Sequence, residues 1–482
     1  MVRKELIKIL GAEYVFDDNE ILDQYSRDRS FFPSKRPDYV VKPKNSNEVK
    51  DIVRLANEYK LHLVPSSSGI HFNGATIPAQ GGIVVDLRRM NKILKVDERN
   101  RAVRIEPGVT WGQLQDELKK QNLRALNPLL PHSSKSVLTS HLEVEPMLIP
   151  KFEYGEPICT MEIILPNGDL FRTGSASGPG DPEETQTDLV GPYGPGVDFF
   201  RLFQGAQGTL GIVTWMNIKA EPLPRFQKLF FTCFYKIEDL VNNIYKIQKR
   251  MLGYECFALN SHNLAMILAE KWPDDFKTLK EILPPWTLIH CLAGTHRLPR
   301  EKVEYQEKDL MEVSQELGID PQPIIPGVGN SKRVILELLQ RPWTKEPYWK
   351  DRLKGNHFDI FFYIPMDHLP DFITKMYKLT AKYRYPTSDI GEYLQPIEYG
   401  RICHFEFSFS YDPEDPNEVE LVKRLYTEAS GIMIEMGALF TRPYGVWAEM
   451  AYSRNAEYTA VTKELKRLFD PNNIMNPGRL CF

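Results

Sequence analysis

Little in this chain speaks for metal or disulfide chemistry. Six cysteines stand at 159, 233, 256, 291, 403 and 481 of 482 residues, and no two form a C-x-x-C pair. Scattered through a long chain, they read as reduced, buried thiols and imply a cytoplasmic protein. Ten histidines include no H-E-x-x-H and no H-x-H. Zinc and iron–sulfur centres are therefore not expected, and no metal site is assigned. No run of 18 apolar residues occurs, so no membrane span is expected. Lys and Arg number 60 against 64 Asp and Glu, a net charge of −4. Without a basic excess, a role in coating nucleic acid is excluded. Internal repeats and low-complexity tracts are also lacking.

What is there is ordinary globular composition, 42% hydrophobic and 26% charged. The length allows two large domains or about three smaller ones. The N-terminal stretch MVRKELIKILGAEYVFDDNE starts basic and turns apolar, but Lys8, Asp17, Asp18 and Glu20 interrupt it. It reads as a short amphipathic helix, not a signal peptide.

Residues 38–64 read as strand, helix, strand, with Ser46 or Asn47 as helix N-cap. A buried strand follows at 82–87, then a hairpin across 93–106 that turns at Glu98–Arg101. Thr110 is placed to cap a helix reaching Leu118. Residues 158–173 form a second hairpin around Pro166-Asn167-Gly168-Asp169. Ile212–Ile218 is a strand. From about 223 to 441, β-rich runs alternate with helical stretches, which suggests an antiparallel sheet with helices. Residues 455–469 read as an amphipathic helix with Tyr458, Val461, Leu465 and Leu468 on one side.

The strongest local signal is Pro65-Ser66-Ser67-Ser68-Gly69-Ile70-His71-Phe72-Asn73-Gly74-Ala75. Small side chains after a strand expose backbone N–H groups that can wrap a pyrophosphate. The loop lacks the Gly-Lys-Thr of a Walker A loop and the G-x-G-x-x-G of a Rossmann turn. By itself it is equally an ordinary serine-rich turn.

The order of segments says more. VVKPKNSNEVKDIVRLANEYKLHLVPSSSG, GGIVVDLRRMNKILKVDERNRAVRIEPGVTWGQLQDEL, SVL, NGDLFRTG and GAQGTLGIVT follow one another, and LKRLFDPNNIMNPGRLCF closes the chain. This series resembles the vanillyl-alcohol oxidase/p-cresol methylhydroxylase flavoprotein superfamily over residues 35–222 and 442–482. The resemblance implies an α+β protein. A two-subdomain FAD-binding domain would take residues 1–222, with 442–482 returning to it. A substrate-covering cap with a large antiparallel sheet would take 223–441.

The same resemblance implies sites. Ser66, Ser67, Ser68, Gly69 and Gly74 would hold the FAD pyrophosphate. Pro131, Ser136 and Val137 would lie along the cofactor, and Thr139 replaces the glycine usual after S-V-L. Gly208, Gly211, Ile212 and Val213 would contact its adenosine or ribityl side. Asn476 and Arg479 would close over it. His404 stands where relatives link a histidine to the flavin, and His71 lies one position off the spacing of another such histidine; the plainer reading of each is a hydrogen-bonded polar side chain near the site. Arg442 fills the place of an arginine that holds substrate anion or flavin N1, preceded by Thr441 in place of tyrosine, with Tyr444 as the substitute. Glu156, in Tyr154-Gly155-Glu156, stands in the place of the catalytic acid. The neighbouring acids Glu143, Glu145 and Glu153 read as a solvated loop or as a receptor for a cation. Trp111, Trp215 and Trp447 read as packing residues.

The activity implied is FAD-dependent dehydrogenation of a small organic substrate, with hydride passing to flavin N5. An aromatic alcohol or para-alkylphenol leads. A 2-hydroxy acid of the lactate or glycolate type is the alternative, because DPNNIMNPGRL is worded like that branch. A third reading is an electron-transferring flavoprotein subunit of a larger complex. The electron acceptor would be oxygen, a cytochrome or an electron-transfer flavoprotein, and a homo-oligomer is compatible with all three.

Overall fold

The computed structural model describes residues 1–151, 157–178, 184 and 191–482. Three sheets carry the architecture. The first contains β1 (Val15–Phe16), β2 (Tyr39–Val41), β3 (Leu63–Ser66) and β4 (Ile83–Asp86), ordered β1-β2-β4-β3. β4 lies parallel to both β2 and β3. Its run Ile-Val-Val-Asp is buried at every position, as a strand covered on both faces requires. The crossover from β2 to β3 is the helix Ser46–Tyr59, which buries Val49, Ile52, Val53, Leu55 and Ala56 along one stripe. Its N-cap is Asn45, one residue earlier than the sequence suggests. The Asn45 side chain accepts a hydrogen bond from the Glu48 N–H at 2.9 Å, so Ser46 and Asn47 lie inside the helix.

The second sheet is antiparallel. It contains β5 (Ile93–Asp97), β6 (Ala102–Ile105), β7 (Leu123–Ala125), β8 (Ile158–Ile164), β9 (Leu170–Arg172) and β10 (Ile212–Pro222). The order is β5-β6-β10-β8-β9, with β7 also on β10. Both expected hairpins are present, as β5–β6 and β8–β9. Thr110 caps the helix Trp111–Lys120. Trp111, Trp215 and Trp447 are all buried.

The third sheet holds β11 (Phe226–Phe234), β12 (Glu255–Asn260), β13 (Trp286–Gly294), β14 (Asn356–Ile364), β15 (Ile390–Ile397) and β16 (Ile402–Tyr411). Its order is β11-β13-β12-β15-β16-β14, antiparallel throughout. Helices Ile237–Lys249, Leu369–Lys382 and Pro416–Glu435 contribute buried side chains to the core on one side of it.

The chain end then rejoins the first sheet. The Leu63 N–H donates to Ile474 O at 2.7 Å, and the Asn476 N–H donates to Leu63 O at 2.8 Å. The helix Ala456–Phe469 precedes this return and is turned opposite to its apolar pattern. Tyr458, Val461 and Leu468 are exposed, while Lys466 is buried. The Lys466 ammonium donates to Thr209 O, Asp470 Oδ2 and Met475 O at 2.6–2.9 Å. Those three bonds tie the helix to the Gly208 loop and the chain end, and the apolar stripe is left outside.

Candidate active site

Two cavities carry the candidate site. The first is a groove enclosing about 810 Å³, floored by Pro65, Ser66, Ser67 and His71 and walled by Leu138, Thr139 and the 205–213 segment. It opens at the C-terminal end of β3, where parallel strands present ligand crevices. The loop braces itself. The Ser66 hydroxyl lies 3.3 Å from His71 Nε2, and that nitrogen lies 2.7 Å from Ser68 O. Burial pushes the His71 imidazole down to about 4, so it is neutral near pH 7. Ser67 and Thr139 share a short hydroxyl–hydroxyl bond.

Glycine is needed at 208. Its φ is +72°, and a Cβ there would sit 2.4 Å from Pro65 Cγ. Gly69 differs: it is exposed, its φ is ordinary, and the nearest atom to a Cβ would be Arg88 Nη1 at 3.6 Å. Buried Asn476 bridges the groove's two loops. Its amide donates to Ala75 O at 3.1 Å and Gln207 O at 2.7 Å, while its Oδ1 has no partner. Arg479 reaches Ile77 O. A long cradle of small residues, with an unpartnered buried acceptor beside it, fits an extended dinucleotide such as FAD.

The second cavity is a cleft enclosing about 990 Å³. Its walls are aromatic, with Phe31, Phe72, Tyr348, Trp349, Tyr393 and Tyr426 facing it. Its floor comes from β14 and β16. In NHFDIFFYI and ICHFEFSFSY, phenylalanine alternates with polar residues, so one sheet face is core and the other is polar. Register places Asp359 opposite Ser408, Phe361 opposite Glu406 and Tyr363 opposite His404.

Charge in the cleft is buried and largely paired. Lys350 lies 2.6 Å from Asp359 Oδ2 and 2.5 Å from Glu406 Oε1. Burial alone would raise the Glu406 carboxyl, but Lys350 and His404 outweigh it and hold Glu406 well below the usual carboxylate range. Burial also disfavours the charged lysine, yet Asp359 and Glu406 push Lys350 up. Lys135 pairs with Glu143 at 3.2 Å and, closer, with Glu145. Glu143 and Glu145 are thus neither a solvated loop nor a free cation receptor, since a cation of the chain already occupies them.

His404 is 1% exposed. Its Nε2 lies 3.9 Å from Glu406 Oε2, and its Nδ1 has no partner. Burial lowers its pKa, against the pull of Glu406. The Arg442 guanidinium is 5% exposed, with its central carbon 3.9 Å from the Phe361 ring centroid and its Nε unpartnered.

The sequence-derived residues divide between these cavities. Ser66, Ser67, His71, Gly208, Gly211, Ile212, Val213 and Tyr444 line the groove. Pro131, His404 and Arg442 line the cleft. Ser68, Gly69 and Gly74 lie in the same loop without lining either. The Ser136 side chain turns inward to cap the helix Val137–Leu142 and donates to Pro107 O at 2.6 Å. Val137 packs in the core of the second sheet. Tyr444 faces the groove, away from the Arg442 cleft. Glu156, with Glu153, Tyr154 and Gly155, lies outside the described residues.

Sequence reasoning missed Lys135, Lys350, Asp359, Glu406 and the aromatic walls. The one signal for part of this set was polar alternation in two strands otherwise rich in phenylalanine.

Residues 37–139 match the FAD binding domain family, and residues 359–480 match the C-terminal domain of FAD linked oxidases. The chain is 25% identical to glycolate oxidase subunit GlcD of Bacillus subtilis (strain 168), over 99% of this chain and 96% of that one. It is 25% identical to the flavoprotein subunit of 4-cresol dehydrogenase (hydroxylating) of Pseudomonas putida, over 98% and 93%. Its fold matches that of p-cresol methylhydroxylase with substrate bound at a TM-score of 0.84, with 21% identity and coverage of 100% and 96%. With the groove, the cleft and both family matches in place, the chain carries an FAD binding domain and an FAD linked oxidase C-terminal domain and is an FAD-dependent oxidoreductase.

Proposed function

We propose that the protein dehydrogenates a para-alkylphenol or aromatic alcohol, with residues 1–222 and 442–482 holding FAD and 223–441 covering the substrate. The supporting observation is the aromatic-walled cleft with one buried guanidinium, Arg442, whose Nε has no partner. Flat walls suit a ring by stacking and edge contacts. A fixed planar cation suits a phenolate oxygen. When bound, FAD supplies the two-electron acceptor for the carbon being oxidised. The chain supplies the rest. Arg442 holds the substrate anion. His404, neutral and with Nε2 turned towards Glu406, offers Nδ1 to the hydroxyl proton. The aromatic walls keep water from the reacting carbon.

A second reading rests on the same guanidinium. Arg442 suits a carboxylate as well as a phenolate, and one relative carries the name glycolate oxidase. Anaerobic flavin bleaching against 4-alkylphenols, aromatic alcohols, lactate and glycolate separates the two. Bleaching by the aromatic compounds is expected. Bleaching by the hydroxy acids alone transfers the assignment to the second reading. Bleaching that needs a partner protein would make the chain an electron-transferring subunit.

A further inference from the structure

Along the cleft floor runs a chain of polar groups that continues past it to Asp351 and Arg29. It starts at His404, whose Nε2 faces Glu406 Oε2 at 3.9 Å. The Ser408 hydroxyl lies 3.3 Å from Glu406 Oε1 and donates to Asp359 Oδ1 at 2.5 Å. Asp359 Oδ2 stands 3.6 Å from His357 Nε2. His357 Nδ1 is 2.6 Å from Asp351 Oδ1, and Asp351 Oδ2 is 3.4 Å from the Arg29 guanidinium. Arg29 is the first member with substantial exposure, its side chain 34% accessible. Lys350 spans the middle, bonded to both Glu406 and Asp359.

This arrangement is costly for packing alone. Buried ion pairs stabilise a fold weakly, and an apolar core is often as good. Here buried charges and a buried hydroxyl fall on one line from cleft to surface, alternating acceptor and donor. His404 Nδ1, buried and without a partner, is the acceptor this line offers to a proton released in the cleft.

We propose that His404, Glu406, Ser408, Asp359, His357 and Asp351 form a proton exit path, braced by Lys350, that carries the substrate's hydroxyl proton from the cleft to the surface at Arg29. The proposal rests on the dehydrogenase reading and serves an aromatic alcohol or a 2-hydroxy acid, whose alcohol O–H is intact when its anionic group binds Arg442; a para-alkylphenol held as its phenolate has already given up its proton. The balance is simple. The substrate C–H bond breaks with its electron pair leaving to FAD, and the O–H bond breaks with its proton going to His404 Nδ1. His404 then releases its Nε2 proton to Glu406. Ser408 takes that proton from Glu406 while giving its own to Asp359. Asp359 protonates His357 Nε2, and His357 gives up its Nδ1 proton to Asp351, which releases it to solvent. Each group regains its starting charge; the carboxyls and the Ser408 hydroxyl reset by rotation, and His404 and His357, left in the opposite tautomer, reset by a ring flip. The two longer gaps close with ring movements of about 1 Å. Lys350 is a positioning residue whose ammonium, bonded to Asp359 and to Glu406, fixes the two carboxylates in place.

Ser408→Ala tests the path, because it removes the hydroxyl link and no charge. The FAD-loaded protein is mixed anaerobically with whichever aromatic alcohol or 2-hydroxy acid of the panel bleaches the wild type. Flavin absorbance and a pH-indicator dye are followed together. Flavin reduction and proton appearance are expected to slow about tenfold or more in Ser408→Ala, with FAD content, melting temperature and substrate affinity unchanged. Ser408→Thr, which restores the hydroxyl, is expected to recover most of the rate. His357→Gln, at a different link, is expected to slow both signals likewise. Wild-type rates in Ser408→Ala, or an equal loss in Ser408→Thr, overturn the path while leaving the substrate reading intact. Slowing seen only with lactate or glycolate supports the path and overturns the aromatic reading. If no aromatic alcohol or 2-hydroxy acid bleaches the wild type, the path falls, and if no 4-alkylphenol does either, both fall.

Discussion

Replacing Arg442 is the sharpest perturbation of the substrate site. The guanidinium is 5% exposed and sits 3.9 Å from the Phe361 centroid. No solvent stands ready to take over its charge. A desolvated cation over an aromatic face contributes about 2 kcal/mol to holding the side chain in place. A fixed donor at developing negative charge is worth about 3–4 kcal/mol in the transition state, or 10²–10³-fold in rate. Arg442→Lys keeps the charge and loses the planar fork. It is expected to lower the first-order rate of anaerobic flavin reduction by about 10²-fold. Arg442→Met, which also loses the charge, is expected to do at least as much. FAD occupancy is expected to stay full, because Arg442 lines the cleft and not the groove. The melting temperature should fall by no more than a few degrees, since about 2 kcal/mol is small against the unfolding entropy of a chain this long. Stopped-flow absorbance at the flavin band, with calorimetry on the same samples, gives both quantities. Wild-type reduction by the lysine variant would refute the role. Joint loss of FAD and stability would show instead that Arg442 ties the cap to the FAD domain.

Three further outcomes are expected. Gly208→Ala forces a Cβ against Pro65 at a φ of +72°, costing about 2–4 kcal/mol in strain and overpacking. Flavin content should drop in this variant and stay full in Gly69→Ala, as read from the flavin-to-protein absorbance ratio; the opposite order refutes the groove assignment. Acid precipitation should release the flavin into the supernatant, whereas colour kept by the wild type and lost in His404→Ala would make His404 the flavin link. Stability should fall as pH drops from about 6.5 towards 4, because burial pushes His71, His141, His262 and His290 each down to about 4. Their unfolded forms take up protons first, and His404, also lowered, acts in the same sense. Glu392 opposes them: burial pushes it up to about 8, so it favours the folded state as pH falls towards 4.5. Four histidines against one carboxyl leave a loss of about 3–4 kcal/mol per pH unit near pH 5.5, and a melting temperature that is flat from pH 7 to 5 would refute this.

Residues 38–66 show how much a sequence can carry locally. A β-prone triplet, an apolar stripe at helical spacing and a second strand were enough to place β2, the helix Ser46–Tyr59 and β3. The cap was misjudged by one position, because which side chain reaches the Glu48 N–H depends on backbone angles at Asn45 that composition does not specify. The helix Ala456–Phe469 was placed correctly but faced wrongly. Its apolar stripe promised burial inward, yet three bonds from Lys466 to Thr209, Asp470 and Met475 decided the orientation. Those partners come from distant or folded-back chain, and hydrophobic periodicity does not register them.

The two halves of the site divide in the same way. Much of the cofactor groove was legible because Ser66, Ser67, His71 and Gly208–Val213 sit in two continuous loops whose small residues state their purpose locally. The cleft was not. Its cations and acids come from Lys135, Lys350, Asp359 and Glu406, and Arg29 meets Asp351 across 322 residues of chain. Strand periodicity indicated only that His357 and Asp359, or His404 and Glu406, share a face. Whether that face meets solvent, a helix or a cleft is set by sheet order and by which segments cross above it. Local sequence determined the elements and the small-residue loops of the groove, because those depend on backbone sterics and short-range hydrogen bonds. Tertiary structure alone decided which buried charges meet, because ion pairing depends on distance in space and is blind to distance along the chain.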